Sequence, residues 1–152
     1  MICFFFLINF GYDQNLSKTP LAVALPKYQM AVAKARFSEL ITMARTMKNA
    51  QEMYYMANGS YASNMEDLDI TYPSGRSRIG VLVLNQENRV AAYNTSSLCN
   101  NYEVYLDNAG GERPGKAFCH VRINSGCDEE LGRQLCRSLG WPQKNSHTWD
   151  EP

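Results

Sequence analysis

Neither sign of charge is in excess: Lys and Arg number 15, and Asp and Glu number 15. A neutral chain exerts no electrostatic pull on nucleic acid or on an anionic membrane surface, so no nucleic-acid contact is expected. It also lacks the self-repulsion that keeps copies apart, which suits a self-associating subunit. Imidazole is scarce, with only His120 and His147, too few for a Ser–His–Asp set or a histidine metal cluster. No P-loop, G-x-G-x-x-G or H-E-x-x-H run occurs, and each of those chemistries requires its own spacing. No catalytic residue, metal ligand or cofactor is expected, and an enzyme is the weakest reading.

Long hydrophobic runs are missing as well. MICFFFLINF, residues 1–10, is apolar, but a membrane-spanning helix needs about twice that length. It has no basic region ahead of it and no small-residue cleavage site, so it makes a poor secretory signal. GYDQNLSKTP then ends the apolar character with Asp13, Gln14, Asn15 and Lys18. Residues 1–20 read as an atypical N-terminal segment without a competent transmembrane helix.

What is present suits one folded domain over residues 21–152. Hydrophobic residues make up 45% and charged residues 20%, enough for a core and unlike a disordered chain. Of the five cysteines, Cys99, Cys119, Cys127 and Cys136 crowd into the C-terminal half and Cys3 stands apart. Structural zinc favours C-x2-4-C knuckles, and no two cysteines lie that close. Disulfides are the expected use, and they imply an oxidising compartment.

The dominant segment is LAVALPKYQMAVAKARFSELITMARTMKNAQEMYYMAN, read as one long helix over 21–58. Thr19-Pro20 is a good start, with a hydroxyl cap and proline at the first helical position. Pro26 falls inside and must kink or restart it. Apolar residues at Ala33, Phe37, Leu40, Ala44, Met47, Ala50 and Tyr54 step by three and four along one face. Asn58-Gly59 is the stop. From Lys27 to Ala57 such a helix runs roughly 45 Å, more than an ordinary domain of this size uses. That length suits the spine of an assembly.

Residues 59–78 read as a loop, with Asn64 capping a short turn through Leu68 and Pro73, Ser74 and Gly75 as punctuation. Residues 79–124 read as an antiparallel sheet of about four strands: IGVLVL (79–84), VAAYN (90–94), YEVYL (102–106) and AFCHVRI (117–123). The long helix covers one face of that sheet, giving an α+β fold. In residues 125–152, Asp128 caps a helix with acids in its first turn, Arg137 in its last and Gly140 beyond. The tail from Trp141 shows no periodicity and is expected to be loop.

The remaining polar and aromatic groups have ordinary explanations. Glu66, Asp67 and Asp69 suit a solvated loop, and Arg76 and Arg78 suit surface charges. Tyr54, Tyr55, Tyr61, Tyr72, Tyr102 and Tyr105 are assigned to helix–sheet packing. The five methionines from Met30 to Met56 are assigned to filling gaps in the core. Four clustered cysteines allow three connectivities, and spacing does not choose among them. A Cys119–Cys136 bridge would staple the terminal helix to the last strand, and Cys99 with Cys127 could form a second.

Several runs resemble the region after the membrane segment of Gram-negative type IV pilins and type II secretion pseudopilins. They are Ala24 to Val32 (A-L-P-x-Y-Q-x-A-V), Ala50 to Tyr55 (A-Q-E-x-Y-Y), Ala57 to Tyr61 (A-N-G-x-Y), and AFCHV followed after a gap by LCRSLG. The resemblance implies a long helix on an antiparallel sheet, no enzymatic activity, and Pro26 as the helix-kinking proline. It implies that Cys119 and Cys136 pair, and Cys99 with Cys127 is the complementary assignment. It further implies partners: identical copies stacked through their N-terminal helices into a filament, a prepilin peptidase and an assembly machinery. Such subunits lie in the inner membrane before assembly, and afterwards in an extracellular pilus or periplasmic pseudopilus. The filaments serve adhesion, twitching motility, DNA uptake or secretion.

The first twenty residues depart from that pattern. Counted back from Pro26, Phe4, Phe5 and Asn9 fall on the processing and assembly positions. Phe4 stands where the family has the glycine before the cut, and Asn9 where it has a glutamate. Membrane residence is expected only with an intact apolar N-terminus. The competing expectation is a soluble periplasmic or secreted binding module that kept the pilin-like body and does not polymerise.

Overall fold

A computed structural model describes residues 20–71, 79–84, 88–94, 98–108, 113–123 and 125–152, without side chains for 20–25 and 79–84. Cys3, Phe4, Phe5, Asn9, the Thr19 cap, Tyr72, the punctuation at 73–75, Arg76 and Arg78 lie outside the described residues. Helix α1 spans Pro20–Asn58 as one element that includes Pro26; the proline does not restart it. All six expected apolar positions from Ala33 to Ala50 are buried, and Tyr54 packs against them. Gly59 ends the helix at φ +71°, a conformation that costs glycine nothing. Its N–H donates to the Tyr55 carbonyl at 2.8 Å.

Strands β1 (Ile79–Leu84), β2 (Arg89–Asn94), β3 (Asn100–Tyr105) and β4 (Ala117–Val121) form the expected meander. Helix α2 (Glu129–Ser138) follows, with Asp128 Oδ1 accepting the Leu131 N–H at 2.9 Å as its cap. The tail departs from expectation. It folds into β5 (Gln143–Asn145) and β6 (Thr148–Asp150), making a six-stranded antiparallel sheet in the order β1-β2-β3-β4-β6-β5. β6 pairs with β4, setting Trp149 opposite Cys119, and Trp149 is only 1% exposed. The short edge strand β5 is exposed throughout, so no alternation marks it.

Alternate residues of the sheet face α1: Val90, Ala92, Tyr102, Val104, Cys119 and Val121 join Phe37, Leu40, Ala44 and Met47 in one core. Phe37 meets Tyr102 edge-on at 6.1 Å and Trp141 at 6.2 Å, a favoured aromatic geometry. Polar groups fix the helix register. Gln51, buried in α1, accepts the Ala62 N–H at 2.9 Å and donates to the Ala62 carbonyl at 3.2 Å. Its amide thereby satisfies both backbone groups of one loop residue, which burial would otherwise leave unpaired. Next to it, Glu52 accepts from the Tyr61 hydroxyl at 3.0 Å and from the Asp107 N–H at 2.7 Å.

Three smaller expectations change. The turn at Met65–Asp67 is a 3-10 turn, and Asn64 makes no side-chain cap; its amide reaches Asp67 Oδ2 at 3.4 Å instead. Met47 fills the core, but Met53 and Met56 are 67% and 78% exposed, because they lie off the buried stripe. Tyr55 stacks beside Tyr61 at 4.6 Å and not in the core cluster.

Candidate functional site

Both disulfides of the C-terminal region form, Cys99–Cys127 and Cys119–Cys136, with Cα separations of 5.4 and 5.9 Å. Those separations are normal for the bond. The first bridge lies beside a parallel backbone bridge between Leu98 and Asp128, and the second joins α2 to the middle of β4. Asn100 sits between them: its amide donates to the Gly132 carbonyl at 3.0 Å and lies 3.2 Å from Cys136 Sγ. Gly132 permits this approach, since a Cβ there would stand 3.3 Å from both Asn100 Oδ1 and Val121 Cγ1. Disulfides of this kind suit an oxidising compartment outside the cytoplasm. No helix among the described residues is long and apolar enough to cross a membrane.

A second constellation lies on the sheet face turned away from α1. The register sets Ala91 beside Glu103 and Glu103 beside Phe118, with Tyr93 beside Asn101 and Asn101 beside His120. Residues directly opposite share a face, and β6 extends these rows with Thr148 and Asp150. Glu103 is only 5% exposed. A buried carboxylate needs a countercharge, and Arg89 Nη1 supplies one at 3.2 Å from Oε2. The Asn101 amide donates to Oε1 at 3.4 Å. Two hollows border this ridge. One, of about 230 Å³, is lined by Arg113, Lys144 and Thr148 among others. The other, of about 270 Å³, is lined by Tyr93, Asn101, Glu103, His120 and Arg122.

His120 is half-buried with Nδ1 3.3 Å from the Thr148 hydroxyl. Burial pulls its pKa below the ordinary imidazole value; Glu103 opposes that shift, while Arg89 and His147 add to it. The unfolded chain therefore takes up this proton more readily than the folded one. His120 contributes stability fully above about pH 6.5, and that contribution is lost as pH falls toward the depressed folded value. Urea unfolding midpoints measured from pH 7.5 to 5 are expected to fall on acidification, and His120→Gln to flatten that slope. An unchanged slope in the variant would refute the assignment.

Tyr105, expected in the helix–sheet packing with Tyr102, instead lies on this outer face, 5.8 Å from the Phe118 ring, because neighbouring strand residues point to opposite faces. Nothing in the sequence marks Glu103 as buried. Nothing in the local sequence marks Asn101, Arg122 or Gln51 either. The acids Glu66, Asp67 and Asp69 are exposed and form no site with the other groups. His147 lies beside Ser146 at 2.7 Å. No group of three or more His, Cys, Asp and Glu able to hold a metal ion occurs among the described residues. Comparison of the chain with protein-family models, curated proteins and solved structures finds no match.

Proposed function

We propose that this chain is the structural subunit of a filament of the type IV pilus or type II secretion pseudopilus class, with a pilin fold and no catalytic role. One observation carries the reading most. Helix α1 is 39 residues long, but its first fully buried described side chain is Ala33, and Pro26, Lys27, Tyr28 and Gln29 are exposed. A helix that outruns its own core leaves turns, the exposed Tyr28 among them, open to contact with a further molecule. The runs shared with pilins supply the kind of molecule, a second copy packed helix to helix. The disulfide that ties α2 to β4 fits a subunit that works outside the cytoplasm. The roles open to such a filament are adhesion, twitching motility, DNA uptake or secretion. Inner-membrane residence precedes assembly only where an intact apolar N-terminus is present, and Phe4 and Asn9 depart from the family's processing and assembly residues.

Filaments sheared from the producing cell and labelled with an antibody to this chain are the test. Labelling along the fibre in electron micrographs is expected. Label confined to periplasmic fractions, with bare filaments, would instead favour a binding module that does not polymerise. The polar hollows on the outer sheet face are the observation that supports this second reading.

A further inference from the structure

We infer that the hollow beside β5 binds a small, doubly charged tetrahedral oxyanion, inorganic phosphate or a phosphate monoester, held by Lys144, Arg113 and Asn145. The inference does not rest on the filament reading. The register of β5 on β6 shifts between Gln143 and Asn145, so Lys144 is an extra residue opposite Trp149 and Thr148. Successive strand residues normally point to opposite faces, but a bulge re-aims a side chain, and here Lys144 and Asn145 both line the hollow. Arg113 comes from the turn before β4. The Lys116 N–H closes that turn onto the Arg113 carbonyl at 3.1 Å, with Gly115 at φ +71°, and Pro114 ahead of Gly115 is the order such a turn favours. All three groups can be reached from solvent: Lys144 and Asn145 are exposed, and the Arg113 side chain is 25% exposed. The Lys144 ammonium makes no ion pair or hydrogen bond among the described residues. Arg113 donates to Asp150 Oδ1 through Nη1 only, at a long 3.4 Å.

Charge decides the ligand class. Arg89, Arg113 and Lys144 line the hollow against one carboxylate, Glu103. Glu103 faces Arg89 at 3.2 Å and its side chain is only 6% exposed, so that pair cancels within the wall. Arg113 and Lys144 remain as the charge that a ligand meets, and both groups only donate. Asn145 Oδ1 accepts the His147 N–H at 2.9 Å, which leaves the Asn145 amide nitrogen to donate as well. A cation is repelled, and a neutral ligand gains little from two ammonium-type charges. A carboxylate holds its two oxygens in one plane and suits a single arginine fork. Donors arriving from a turn and from a bulged strand suit an ion with oxygens on several sides. The volume of about 230 Å³ lies below the range of drug-sized pockets, which admits phosphate with its nearest waters or a small ester group. Asp150 competes for Arg113, so neutralising it is a test of opposite sign.

Amide chemical-shift titration by NMR on the full chain, with its disulfides intact and at low salt, tests the site. The probes are inorganic phosphate and glycerol 3-phosphate, with acetate and dimethyl phosphate as singly charged controls. Phosphate is expected to bind with a Kd of about 1 mM, shifting the amides of Arg113, Lys116 and residues 143–148. Lys144→Gln and Arg113→Gln should each weaken it about five-fold, the scale of a charged hydrogen bond discounted for exposure. Asp150→Asn should tighten it about two-fold. Lys27→Gln removes the same charge from an exposed position on α1 and should change nothing. Tighter binding of glycerol 3-phosphate than of phosphate would identify a carried phosphoryl group as the ligand, and equal binding the free ion. Each variant is checked for an unchanged circular-dichroism spectrum; if Arg113→Gln does not fold, the exposed Lys144→Gln decides the matter alone. The proposal fails if neither phosphate probe shifts these amides, or if acetate or dimethyl phosphate binds as tightly. It fails equally if Lys27→Gln costs as much affinity as Lys144→Gln.

Discussion

Replacing Cys119 and Cys136 together by alanine is expected to cost about 3 kcal/mol of stability, from the loop of 17 residues that the bridge closes. For a chain of this size that corresponds to a fall of roughly 6–12 °C in the thermal midpoint. Alanine is the right replacement because both cysteines are fully buried, and a serine hydroxyl there would add a desolvation penalty of its own. The longer Cys99–Cys127 loop, with a separation of 28, is worth slightly more by the same relation. The two bonds should nevertheless differ in the order of their reduction. Cys127 is half-buried, while Cys119 and Cys136 have no exposed surface. A thiolate must reach a sulfur to attack it, so mild dithiothreitol should open Cys99–Cys127 first. Peptide mapping at timed quenches reads the order, and calorimetry reads the midpoint. A double variant that melts within 2 °C of the parent would remove the bridge from the list of what holds the fold.

The other large effect belongs to Trp149→Ala, expected to destabilise by about 3–5 kcal/mol, the usual range for emptying a buried tryptophan site. Trp149 is the bulkiest fully buried side chain. It shares its core with Leu135, Cys119 and Cys136, so its loss leaves a cavity walled by a sheet and a cross-linked helix that cannot close over it. In urea the midpoint should move by about 2 M. Trp141→Ala makes a useful contrast. Trp141 is only partly buried, edge-on to Phe37 and Tyr102 at 6.2 Å, and the expected cost is smaller. Equal effects at the two positions, or a shift below about 0.5 kcal/mol at Trp149, would mean that β6 is not part of the folded sheet.

How much of this was legible beforehand depended on the range of the interaction. The stripe from Ala33 to Ala50 was readable because a helix brings residues three and four apart onto one face, a purely local relation. The cap at Asp128 and the stop at Gly59 are local for the same reason. Strands β5 and β6 were not readable. Each has three residues, too few to show an alternation, and the pairing of Trp149 with Cys119 spans thirty residues of sequence. The outer-face site was hidden by the same limit. Glu103 looks like any solvated strand residue until Arg89, Asn101 and Phe118 are set around it by the register of three strands. Gln51 illustrates the point within the helix: it lies beside the apolar stripe and is buried only because the loop returns to place Ala62 against it.

The tail hairpin bears on the order in which the molecule can be completed. β6 sits next to β4, and Glu151 just after β6 accepts from the Tyr102 hydroxyl at 2.8 Å and from Arg45 on α1 at 2.6 Å. That hydroxyl is pushed up to about 12, chiefly by burial, so at physiological pH it stays a donor to the carboxylate. A chain delivered from its N-terminus exposes the flank of β4 and the vacancy later filled by Trp149 until Thr148–Asp150 arrive. Closure of the core is thus coupled to the arrival of this hairpin, and a chain stalled before β6 waits with its sheet unsealed.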